Sequence, residues 1–130
     1  MPKSAATRAV HSFLLAASCA LAAPAAWAHA HLQQSIPAAH ATVAAAERIE
    51  LRFSGPLVAR FAKVTVLFLG TDGQAQPVEV PDIAVAYADD QRGVIATPAQ
   101  PLQPGRYRVE WRVVSADTHP MKGQFSFVVK

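Results

Sequence analysis

The stretch RYRVEWRVV, residues 106–114, decides the fold. Tyr107, Val109, Trp111 and Val113 fall on one side of an extended chain, and Arg106, Arg108, Glu110 and Arg112 on the other. A repeat of two is the period of a β-strand with one buried face, and no helix places side chains that way. The same alternation recurs on either side of it. In residues 48–54, Ile49, Leu51 and Phe53 oppose Arg48, Glu50 and Arg52, and residues 123–130 carry Phe125, Phe127 and Val129 on one face. Residues 63–69, KVTVLFL, are apolar on both faces at their end and rich in β-branched side chains, which reads as a more central strand. Weaker strands are predicted at 32–36, 78–80, 84–87 and 93–96. Turn-forming residues separate the runs: Ser54-Gly55-Pro56, Thr71-Asp72-Gly73, Pro81-Asp82, Asp89-Asp90 and Pro104-Gly105. No segment carries a sustained helical period. Residues 38–47 are alanine-rich without an amphipathic face and predict at most one turn of helix. Short strands with regular turns imply an all-β sandwich or barrel in a single domain.

The first 28 residues read differently. Lys3 and Arg8 with no acidic residue, then the apolar run SFLLAASCALAAPAA at 12–26, then Ala26-Trp27-Ala28, are the three parts of a secretory signal peptide. The run is shorter than the roughly 20 residues of a membrane span, and Pro24 interrupts it. Cleavage after Ala28 predicts a periplasmic domain of residues 29–130, with no insertion into the membrane. Ala28-His29-Ala30 also fits the small-x-small rule, so a cut after Ala30 stays open.

The whole chain has 12 Lys and Arg against 9 Asp and Glu, and the leader removes Lys3 and Arg8. The remainder is nearly neutral and has no basic run, which argues against a nucleic-acid partner. Arg106, Arg108 and Arg112 read as a solvated strand face with Glu110 interleaved. The single cysteine, Cys19, leaves with the leader. The exported domain therefore lacks a disulfide and must rest on its apolar core, and it has no thiolate for a blue-copper electron-transfer site.

Two places offer metal chemistry. His29, as the new amino terminus, presents an α-amine and an imidazole able to chelate one ion, a nitrogen pair for which Cu(II) leads the divalent series. Asp117-Thr118-His119-Pro120 lies between two strands, and in extended chain Asp117 and His119 share a face. Amine, two imidazoles and a carboxylate form a tetragonal N/O set for Cu(II). His31 opens another mode: amine, two deprotonated amides and the third-residue imidazole would bind Cu(II) without a fold. His40 reads as a surface residue.

His29-Ala30-His31-Leu32, Ser35-x-Pro37-Ala38, Ile49-Glu50-Leu51-x-Phe53-Ser54 and the long run from Tyr107 through Trp111, Asp117, His119 and Pro120 to Gly123 resemble the CopC family of periplasmic copper-binding proteins. The resemblance spans residues 29–130. It implies an Ig-like, Greek-key β-sandwich of about seven strands. It also implies one Cu(II) per chain held by His29, Asp117 and His119, with Asp117 either a direct ligand or an orienting group. By the same resemblance the protein is a monomer that captures, stores or delivers copper, is not an enzyme, and works with an inner-membrane CopD-type copper transporter. Some members add a methionine-rich Cu(I) site. Here Met121 is the one methionine after Met1, and 65–77 holds no Met or His, so a Cu(II)-only member is expected. Two rival readings remain: a copper-brace oxidative enzyme related to polysaccharide monooxygenases, and a metal-free Ig-like adhesion module.

Overall fold

A computed structural model describes residues 30–130. The expected leader, 1–28, and His29 lie outside the described residues. Nine strands follow one another: β1 (Leu32–Ile36), β2 (Thr42–Val43), β3 (Ile49–Phe53), β4 (Lys63–Phe68), β5 (Val78–Glu79), β6 (Ile83–Tyr87), β7 (Gly93–Pro98), β8 (Gly105–Val114) and β9 (Pro120–Val129), with one 3-10 turn at Ala59–Phe61. They build a four-stranded sheet, β1-β3-β7-β6, and a five-stranded sheet, β2-β9-β8-β4-β5. This is the Ig-like Greek-key sandwich that the resemblance implied, with seven strands of five or more residues and two of only two.

The alternation read from the sequence sets the core. Ile49, Leu51 and Phe53 of β3 and Val94 and Ala96 of β7 face Val64 and Val66 of β4, Tyr107, Val109 and Val113 of β8, and Phe125, Phe127 and Val129 of β9, all buried. Each large aliphatic or aromatic side chain so buried contributes roughly 1.5–3 kcal/mol. Tyr107 stacks on Phe127, with ring centroids 5.5 Å apart, and its hydroxyl donates to the Gln103 carbonyl at 2.8 Å. That bond ties the start of β8 to the loop before it, as the tyrosine corner of Ig-like folds does.

Two regions go beyond the sequence expectations. Residues 38–47, expected to hold at most one turn of helix, hold none and supply β2. His40 takes a positive φ of 64°, its N–H donates to the Ser126 carbonyl, and Thr42–Val43 pairs in parallel with Val128 and Val129. The backbone partners come from the far end of the chain, so local composition carried no sign of them. Strand β9 begins at Pro120, three residues before the expected start, because its ladder with β8 runs unbroken from Gly105↔Val129 to Val114↔Pro120. A proline fits there, at the first position of a strand.

Trp111 and Gly123 are direct partners in that ladder. A Cβ on Gly123 would lie 2.4 Å from the Trp111 ring, so the absent side chain is what lets the indole lie across β9. The ring then meets Phe53 edge-on, centroids 5.1 Å apart.

Candidate metal centre

The hairpin between β8 and β9 carries Asp117 and His119. Its closing pair is Ser115 and His119: the Ser115 N–H donates to the His119 carbonyl at 3.0 Å, and the Thr118 N–H donates back to the Ser115 carbonyl at 2.8 Å. Thr118 has φ 72°. The connection is thus a tight turn followed by one left-handed residue, a common three-residue hairpin loop, with threonine where glycine is usual. Asp117 and His119 do meet, His119 Nδ1 lying 3.2 Å from Asp117 Oδ2. They meet by the curl of this turn, and the extended geometry inferred from their spacing is not what joins them.

Ser115, a group the sequence reading left without a role, organises the loop. It is 3% exposed, the one buried polar residue beside the apolar core among the described residues. Its hydroxyl donates to Asp117 Oδ1 and lies 3.2 Å from the His119 carbonyl. The hydrogen bond from Ser115 is the main cause that holds the Asp117 carboxyl below the usual range. Partial desolvation opposes it and His119 assists. Asp117 is therefore a carboxylate at neutral pH. Both side chains are about half exposed, 45% for Asp117 and 48% for His119, so the pair faces solvent from a fixed base.

The amino-terminal end of the described chain reaches the same end of the sandwich. Ala30 is 2% exposed and packs on Gly55, where an added Cβ would lie 3.2 Å from that of Ala30. The next residue, Pro56, accepts a hydrogen bond from the Ala116 N–H at 2.9 Å, and Leu57 bridges to Ser115. Residues 54–57 therefore form a strap with the chain start on one side and the Asp117–His119 loop on the other.

His31 is fixed to that strap. Its N–H donates to Ser54 Oγ at 2.9 Å, its Nδ1 lies 3.0 Å from the same oxygen, and its carbonyl accepts from the Ser54 N–H. The fold-independent copper mode would need both the His31 amide nitrogen and Nδ1, and Ser54 engages both. His40 is exposed at the β2 end of the chain, bound through its backbone to Ser126. Among the described residues no three of His, Cys, Asp and Glu gather into a metal-sized cluster. Asp117 and His119 are two residues of the expected set, and His29, the third, lies outside the described residues.

A family model described as the CopC domain matches residues 32–130. The copper resistance protein C of Escherichia coli is 41% identical over 106 residues, covering 81% of this chain and 84% of that protein. The crystal structure of PcoC, described as a methionine-rich copper resistance protein from Escherichia coli, superposes with a TM-score of 0.72 at 40% identity, over 79% of this chain and all of that one. The crystal structure of CopC from Methylosinus trichosporium OB3b gives a TM-score of 0.64 at 26% identity, over 78% of this chain and 94% of its own. With the sandwich, the hairpin motif and the family match all extending to the last strand, the chain belongs to the CopC family.

Proposed function

We propose that this protein is a periplasmic copper-binding protein of copper resistance or homeostasis, which captures one Cu(II) ion and holds it for storage or delivery. The observation that carries this reading is the Asp117–His119 pair. A carboxylate and an imidazole are fixed side by side on a hairpin whose base is bonded to the strap that seats Ala30. His29 is the residue immediately before Ala30 in the sequence. Its amine and ring, exposed by cleavage after Ala28, then complete a nitrogen and oxygen donor set suited to Cu(II). The His119 Nδ1 contact with Asp117 supports an orienting role for the carboxylate, the usual way a neighbouring acid fixes a metal-binding imidazole. With Met121 alone after the leader, the chain lacks the thioether set of the methionine-rich relative, which supports a Cu(II)-only site. Binding in place of catalysis fits the copper resistance proteins it resembles. A CopD-type transporter in the inner membrane is the receiving partner in this reading.

The test joins two measurements on the exported protein. Its intact mass with copper bound should place the first residue at His29 and the stoichiometry at one, and its EPR spectrum should show a tetragonal Cu(II) centre with nitrogen ligands. His119→Ala should weaken Cu(II) binding by orders of magnitude in a competition titration while leaving the fold intact, and one extra residue before His29 should do the same by displacing the free amine. Equal affinity across wild type and both variants would overturn the assignment.

A further inference from the structure

The outer face of the five-stranded sheet carries a charge arrangement that the sequence did not reveal. Lys63 of β4 pairs directly with Arg112 of β8, and Arg112 with Lys122 of β9. The three cations thus stand in one row across three adjacent strands, all exposed. Like charges directly opposite one another destabilise a sheet, so stability of the folded chain does not account for the row. The nearest acid on this face, Glu110, is occupied: Arg108 Nε lies 2.9 Å from its Oε1. None of the three cations has an ion-pair partner among the described residues. Together with Thr65, Glu110 and Trp111 they line a hollow of about 280 Å³. Two residues before Lys63, Phe61 is half exposed with the Arg60 guanidinium 4.7 Å above its ring.

We propose that the Lys63–Arg112–Lys122 row is a docking surface for an extended, acidic segment of a partner protein. Adjacent strands lie about 4.8 Å apart, so the row is about 10 Å long. An extended peptide with acids at alternate positions places successive carboxylates about 7 Å apart on one side, which seats two of them over the three cations. Thr65 in the hollow adds a hydroxyl able to hydrogen-bond, and the exposed Arg60–Phe61 pair just before Lys63 in the chain has the arginine and aromatic chemistry of protein interfaces. Three cations without an apolar insertion make a poor membrane anchor by comparison. The row stands three residues from Ser115 on one strand and three from His119 on the other, about 10 Å along the strands from that hairpin. A partner seated on it lies beside the Asp117–His119 loop, but the surface itself needs no metal.

The test is an NMR titration of the metal-free exported protein with a synthetic peptide of alternating Glu and Ser, against the same peptide with Gln in place of Glu. Shift changes confined to β4, β8 and β9 around the row, seen with the Glu peptide only and reduced by added salt, are expected. The triple variant K63Q/R112Q/K122Q should bind at least ten-fold more weakly, while R106Q, farther along β8, should bind as wild type does. The triple variant should melt no lower than wild type, because it removes only repulsion, and the single variant R112Q carries the same test should the triple fail to fold. Shifts scattered over the surface, an equal loss in R106Q, or no binding would overturn the proposal. So would binding to phosphatidylglycerol vesicles that the triple variant loses while the peptide fails to bind.

Discussion

Ser115 shows how much one small residue settles. A buried hydroxyl at the last position before the hairpin holds Asp117 by a hydrogen bond, keeps it ionised and borders the His119 carbonyl. Replacing Ser115 with Ala removes that bond, and two losses are expected. Stability should fall by about 1 kcal/mol, the usual net worth of such a bond, read by urea denaturation. Cu(II) affinity should fall roughly ten-fold, the low end for loss of a group that supports a metal site, read by competition titration. An unchanged affinity would mean that Asp117 does not need its serine to serve the site. Asp117 and His119 were legible as a pair from their spacing, because two residues apart in any tight or extended chain they lie close. Ser115 and Ser54 were not legible in these roles. One depends on burial and the other on a contact with His31 across 23 residues of sequence, and neither leaves a periodic trace.

At the level of strands, the pairing of β8 with β9 rests on the match of Trp111 to Gly123. Gly123→Ala puts a methyl within 2.4 Å of the indole, and the ring has to leave its place against Phe53. Overpacking of this kind costs about 1–3 kcal/mol, and both the urea midpoint and the tryptophan emission maximum should move. Unmoved emission would show that the ring tolerates the methyl in place. Strand identity was largely readable because β3, β8 and β9 each bury alternate residues, so burial and sequence share one period. Register was not readable. Nothing local says that Lys63, Arg112 and Lys122 would align, and the arginines of β8 looked like an ordinary solvated face until Glu110 proved to serve Arg108. The two-residue strands β2 and β5 are too short to show any period.

Taken whole, the molecule is two sheets closed over one apolar core without a covalent brace. Tyr107 at the sandwich corner is therefore a sensitive point. Burial raises its pKa above the ordinary value of 10.0, outweighing the bond to Gln103. A phenol that stays protonated in the folded chain stabilises it fully below pH 10, and that contribution is lost as pH rises through the folded pKa. Tyr107→Phe should be less stable by about 1 kcal/mol at neutral pH, and the gap to wild type should narrow in denaturation curves recorded above pH 10. A gap independent of pH would mean that the phenol ionises alike in both states. One other property follows from the parallel seam of β2 with β9, which joins Thr42 and Val43 to Val128 and Val129. In any chain delivered amino end first, Thr42 and Val43 have no partner for that seam until Val128 and Val129 have followed. Closure of the sandwich waits on those two residues, such long-range pairing is expected to fold on the millisecond-to-second scale, and a chain lacking them is left with an open edge for neighbours to seize.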